Sequence, residues 1–491
     1  MQNASSLASI ASSSIKHQPI YRMQDVRKPL MNHHFLDYYR CPDSLAQIGV
    51  KGSLSEDSGY FRWGEDTVCY GRTGLGSRVQ DSRGIVYDAE CDAEIRDAVA
   101  CLPFDPEEVI ENLQRERYSA HFREPGSLSR TILRKTYYLL RPYLSVPVRK
   151  HLQRIHLRNW DQIPFPEWPV DFTVDRIHAK RLALAMRAQG VERTPFIWFW
   201  PDGLRHCVII THDVEDEWGR DFCGRLMDMN DSFGFRSSFQ IVPEVRYEVT
   251  DEFLKSISGR GFEVNVHDLN HDGRLYAQRD EFLRRAQRIN EYGRRFGASG
   301  FRSGILYRNA DWYEAFDFSY DMSIPNVAHL DPQHGGCCTV MPFFVGKIVE
   351  LPLTCTQDYT LFQVLGHYST DLWKQQINRI RTHSGLVSIL VHPDYIMEPR
   401  PQDIYKQLLE YLAGLRDDDH TWTPLPRDVA QWWRQRSQMR LIGEGEEWQI
   451  EGPGKERACV AWAHLEGDHV SFRLEGEPTT HESLTGSLQH H

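Results

Sequence analysis

Residues 206–216 read HCVIITHDVED. The apolar, β-branched run Cys207 to Thr211 passes directly into His212, Asp213, Glu215 and Asp216. Such a run predicts a buried strand, and a buried strand ends in carboxylates only where something compensates their charge. Residues two apart on a strand point the same way, so Asp213 and Glu215 are expected to face one side together while Val214 turns into the core. Asp216 then points elsewhere and reads as the cap of a helix beginning near Trp218.

The pattern recurs downstream. Apolar runs at 237–242, 262–266, 346–351 and 386–391 alternate with helical patterns at 219–230, 250–258, 278–296, 309–316, 370–382 and 401–415. This is the βα alternation of a mostly parallel sheet, which suits a barrel or an open sheet equally. Polar clusters stand at the ends of the runs: His267-Asp268-Leu269-Asn270-His271, Arg302 after Ser-Gly-Phe, and His392-Pro393-Asp394. The C-terminal ends of parallel strands share one rim, so these clusters are expected to converge there. His267 and His271, with a carboxylate from 211–216, form a two-histidine, one-carboxylate set that leaves coordination positions for water and substrate. The run IVELPLT similarly leads into Gln357-Asp358-Tyr359, which makes Asp358 either a rim residue or a loop cap.

Bulk properties bound the rest. With 57 Lys and Arg against 68 Asp and Glu, the net charge of −11 argues against a general nucleic-acid binder, which needs a basic surface. The ten cysteines form no C-x-x-C, so buried free thiols are expected rather than a zinc knuckle or disulfide framework. No export signal or eighteen-residue apolar span is visible, which predicts a cytoplasmic protein. The expected organisation is a disordered N-terminus (1–30), an N-terminal accessory region (31–200) with helices at 92–101 and 105–118, a catalytic domain (201–437), a small β appendage (438–475) and a disordered tail (476–491). Between Glu124 and Asp161 there is no acid, and Lys and Arg punctuate a leucine- and tyrosine-bearing segment. Residues 130–158 therefore suggest peripheral contact with an anionic membrane, against the alternative of helices packed on an acidic neighbour.

Residues 204–395 resemble the polysaccharide deacetylase family (carbohydrate esterase family 4, the nodulation-protein-B homology domain). The T-F-D-D motif of that family resembles Thr211-His212-Asp213-Val214. Its G-x-E-I-G-x-H-x-x-x-H matches Gly261 through His271, its aromatic-Arg motif resembles Phe301-Arg302-Ser303-Gly304, and its terminal strand-His resembles Leu390-Val391-His392. The resemblance implies an α/β fold, a distorted (β/α) barrel, here with an N-terminal mixed α/β extension and a small C-terminal β appendage. It implies a divalent metal, Zn²⁺ first with Co, Fe, Mn or Ni as alternatives, and hydrolysis of an amide C–N bond on an N-acetylated sugar or glycan precursor in polysaccharide biosynthesis. Val214 cannot ligate, so Asp213-Val214-Glu215 looks like the family's Asp-x-Glu variant. Asp213 is then the general base and Glu215 the ligand with His267 and His271, or the two acids exchange roles. Arg302 orients the base. His392 is the general acid, with Asp394 tuning it. Asp358, Tyr359 and Ser303 are expected on the substrate wall, which Ser303-Gly304 alter relative to the family's usual Pro-aromatic pair. An amide or ureide hydrolase on a non-sugar substrate, and a silent carbohydrate-binding protein, are the alternatives.

Overall fold

The computed structural model describes residues 33–74, 79–85, 87–119, 159–418 and 420–474. The basic segment expected at the membrane, 130–158, and both expected disordered ends lie outside the described residues.

The central element is a nine-stranded sheet. Its strands are β1 (His206–Val214), β2 (Ser238–Ile241), β3 (Glu263–His267), β4 (Gly300–Arg302), β5 (Tyr320–Asp321), β6 (Phe343–Val345), β7 (Ile348–Glu350), β8 (Leu386–Leu390) and β9 (Thr421–Trp422). Spatial order is β6-β7-β5-β4-β3-β2-β1-β8, with β9 paired to the start of β1. All neighbours are parallel except the β6–β7 hairpin. The sheet curls into a half-barrel. Across its opening, the chain after β7 meets β8 through a side chain: Thr354 Oγ1 donates to Leu386 O and accepts from Ser388 N, each at 2.8 Å.

Helices α1 (Glu217–Ser232), α2 (Asp251–Ser258), α3 (Arg279–Phe296), α4 (Asp371–Arg381), α5 (Pro399–Asp418) and α6 (Pro426–Ser437) connect or flank the strands. Each start has a local cause where the sequence supplies one. Asp216 accepts from Gly219 N at 2.8 Å, so it caps α1 as its position suggested, and Thr250 caps α2 through Phe253 N.

Along β1 the faces alternate. Val208, Ile210 and Val214 pack with Leu226, Leu408 and Trp373 from the helical layer, whereas Cys207 and Ile209 pack with Tyr320, Met322 and Trp433 on the other side. His212 lies buried on the helical face, with its Nδ1 2.9 Å from Val391 O and its Nε2 3.0 Å from Asn230 Nδ2. Both nitrogens are satisfied, and burial pushes its pKa down to about 4, so it is a neutral packing residue.

Strand Val460–Glu466 pairs on one edge with His469–Leu474 and on the other with Arg193–Ile197, so this hairpin is hydrogen-bonded to the segment preceding the main sheet. Arg436 of α6 fixes this junction by donating to the carbonyls of Asp37, Tyr38, Ile197 and Trp198. Residues 92–101 differ from the expected helix. They form the strands Glu94–Arg96 and Val99–Leu102, because Asp97 and Ala98 take φ of +50° and +61°, the backbone of a tight hairpin. The helix expected at 105–118 runs from Pro106 to Gln114 with Asp105 as its cap. No helix among the described residues is long and apolar enough to cross a membrane.

Candidate active site

β1, β3, β4 and β8 deliver their C-terminal ends to one place. Thr211 and Asp213 occupy the inner face of β1, and Glu215 follows as the chain leaves the sheet. From β3, His267 is buried with its Nδ1 3.1 Å from Arg302 O; that carbonyl can only accept, so Nδ1 carries a proton and Nε2 is the nitrogen that faces Asp213 and Glu215. The loop after it bends sharply, with φ of +55° at Asp268 and +54° at His271, and returns His271 until the two imidazole centroids are 4.9 Å apart. Backbone of this kind is costly for non-glycine residues and is held by its surroundings. Gly304 allows it: a Cβ there would sit 2.5 Å from Asp268 Oδ2 and 2.8 Å from His271 Cδ2. A side chain at position 304 therefore has no room beside this loop.

Glu215, His267 and His271 offer ligand atoms that all lie within 4.8 Å of one another. Glu215 Oε1 is 3.8 Å from His267 Nε2 and 3.0 Å from His271 Nε2. Donors ~2.1 Å from a shared tetrahedral ion would be ~3.4 Å apart, close to both separations. His267 Nε2 is buried without a hydrogen-bond partner among the described residues, and His271 Nε2 faces the Glu215 carboxylate beside it. The residues fit a divalent metal.

Asp213 lies beside this set, its Oδ2 3.6 Å from His267 Nε2. Its Oδ1 accepts from Arg302 Nη1 at 2.9 Å, and Arg302 also donates to Thr211 Oγ1 and Met322 O. Burial raises the Asp213 pKa, but Arg302, then His267 and His392, more than offset it, so the carboxyl stays below its usual range and ionised. Burial likewise opposes ionisation of Glu215, and the three imidazoles overcome it, leaving its pKa well below normal.

His392 stands on the other side, its Nε2 3.5 Å from Glu215 Oε1. Asp358 holds it twice, through Nδ1 at 2.6 Å and through the backbone N–H at 2.7 Å. Burial alone would keep this imidazole neutral, yet Asp358 and Glu215 raise its pKa well above the ordinary histidine value. The site thus presents an ionised carboxylate and a protonated imidazole on two sides of a metal-binding set, with their pKa values pushed apart.

The remaining expected residues fall as follows. Asp358 is fully buried and partners His392, the place expected of Asp394. Asp394 lies against Gly219 at the start of α1, and burial pushes its carboxyl up to about 7 against the pull of His392. Tyr359 donates its backbone N–H to Asp358 and its ring packs on Tyr395, which in turn packs on His392. Ser303 is buried beneath the rim, its N–H donated to Ser323 Oγ. Arg246, absent from the expected set, donates to His271 Nδ1 and to its carbonyl, both at 3.0 Å. No spacing rule marks it, because it reaches the site from the loop after β2.

No family model matches the chain, and no curated protein matches it. It is similar to polysaccharide deacetylases and family 4 esterases of known structure. A protein from Mycobacterium smegmatis assigned as a polysaccharide deacetylase is 19% identical, with a TM-score of 0.39 over 48% of this chain and 93% of that one. The Puue allantoinase is 14% identical (TM-score 0.38, 48% of this chain, 92% of that chain). A family 4 acetyl xylan esterase from Clostridium thermocellum, in complex with a cobalt ion, is 13% identical (TM-score 0.30, 46% and 91%).

Proposed function

We propose that this protein is a metal-dependent hydrolase of an amide C–N bond that removes the acetyl group from an N-acetylated sugar or glycan precursor in polysaccharide biosynthesis. The observation that carries the reading is the gathering of Glu215, His267 and His271 between the Asp213–Arg302 pair and the His392–Asp358 pair. A silent sugar-binding protein has no use for an ionised base and a protonated acid flanking a set of metal-ligand type.

Glu215 Oε1, His267 Nε2 and His271 Nε2 would hold the ion, Zn²⁺ before Co, Fe, Mn or Ni. When bound, it would polarise the acetyl carbonyl and lower the pKa of water at the site. The chain's own residues do the rest. Asp213 takes the proton of the attacking water at Oδ2, the oxygen that Arg302 leaves open, while Arg302 keeps it anionic until then. His392 delivers its Nε2 proton to the leaving nitrogen as the C–N bond breaks, giving acetate and a free amine. Asp358 retains the Nδ1 proton and fixes the ring. Asp394 and Tyr359 belong to the surrounding wall, and Ser303 lies buried beneath it. The test is acetate release by purified protein from a panel of N-acetylated sugars. Release by wild type and its loss on chelation are expected. Absence of release from every member, with ureides turned over instead, would replace this reading with the non-sugar amidohydrolase.

A further inference from the structure

The loop after β2 carries a cation into this site, and no carboxylate among the described residues forms an ion pair with it. Arg246 is exposed, and the hydrogen bonds of its guanidinium among the described residues go to His271 alone. Its neighbours are treated differently: Arg220 is closed by Glu217 and Asp221, Arg260 by Asp228 and Asp231, and Arg285 by Asp272 and Glu281. Two acids stand two residues away on this loop: Glu244 is taken by Arg288, and Glu248 is exposed and makes no ion pair with Arg246.

The loop is built to hold this arrangement. Val245 has φ of +74°, a strained backbone for a β-branched residue, and its side chain is left 85% exposed. Tyr247 ties the loop down by donating to Val214 O at 2.7 Å and accepting from Val242 N, and Glu244 N donates to Leu269 O. Strand β1, the histidine loop and the loop after β2 are thereby fastened together, with the guanidinium at the metal-binding set.

Arg246 can only donate, so its bond to His271 Nδ1 uses that nitrogen's lone pair. A His271 that offers Nε2 to an ion must carry its proton on Nδ1, and Arg246 then has to release the ring and keep the carbonyl alone.

We propose that Arg246 reads an oxyanion on the substrate, a phosphate or a carboxylate borne by the N-acetylated sugar near the scissile amide. This deepens the deacetylase reading and rests on it. A planar fork with its remaining N–H groups open to solvent is suited to either oxyanion.

The test is calorimetric binding of three probes to the metal-loaded full chain: neutral N-acetylglucosamine, its phosphate, and its uronic-acid form. Wild type is expected to bind one of the two anions about 10- to 100-fold tighter than the neutral sugar. Whichever anion gains identifies the source. Arg246→Gln should erase that preference while leaving neutral-sugar binding in place, and Arg246→Lys should restore part of it. Wild type without a preference, or a preference that survives Arg246→Gln, overturns the proposal. So does an equal loss for all three probes, which would mean that Arg246 acts through His271. Binding is read without turnover, so the outcome stands whether or not acetate is released; acetate release by wild type is scored separately and decides the deacetylase reading.

Discussion

Arg302 and Arg308 are both buried, each beside a buried carboxylate, and their partners are arranged differently. Arg308 closes on Glu116 with a fork: Nε donates to Oε2 at 2.7 Å and Nη2 to Oε1, while Gly336 N also donates to Oε1 and Leu306 O accepts from Nη1. Both Glu116 oxygens are consumed, and the pair joins the accessory segment to the main sheet. Arg302 meets Asp213 through one oxygen only and spends its other bonds on Thr211 and Met322. Asp213 Oδ2 is left facing His267. The same ion-pair chemistry serves structure where it is fully closed and serves reaction where one acceptor is kept available.

Four substitutions probe that contrast, from the largest expected effect downward. Asp213→Asn keeps the shape and removes the base, so acetate release per folded molecule should fall by about 10²–10⁴-fold, with some loss of stability because Arg302 is left buried without its carboxylate; undiminished turnover would assign the base elsewhere. Glu116→Ala leaves the Arg308 guanidinium buried and uncompensated, which should cost about 3–5 kcal/mol in denaturant unfolding. The metal content of the folded fraction should be unaffected; an unchanged unfolding midpoint would show the closed pair to be dispensable.

Asp358→Asn removes the anion that holds His392 protonated. A cation that loses its carboxylate gives up its proton at lower pH, so the alkaline limb of kcat/KM should move to lower pH, and a limb that stays in place would show that Asp358 does not set it. Asp216→Ala, the cap of α1, should lower stability by only about 1 kcal/mol. A loss of turnover beyond the folded fraction would give Asp216 a part in the chemistry.

Much of this was legible in the sequence, and the limits were physical. The run into Asp213 and Glu215, the spacing of His267 and His271, and the strand ends at Arg302 and His392 all follow from alternation and from the shared rim of parallel strands. The partner of His392 was not legible as such: Asp394 is nearer in sequence, but Asp358 comes from the chain after β7, brought alongside β8 by the curl of the sheet. The signal was present in the apolar run before Gln357-Asp358, which offered the residue a place at the rim or in a loop cap without saying what it would touch. Residues 92–101 misled because Asp97 and Ala98 carry no glycine to mark the left-handed turn. Arg246 left no mark, since a loop arginine gains meaning only from what it meets in space.

The central claim is that Glu215, His267 and His271 hold a divalent metal. Elemental analysis of the purified wild type, alongside His267→Ala, His271→Ala and Glu215→Ala, addresses it most directly. The account predicts stoichiometric divalent metal in wild type and its loss or sharp reduction in each variant while the fold persists. A wild type that binds no metal after incubation with Zn²⁺, or variants that retain it in full, would contradict the claim.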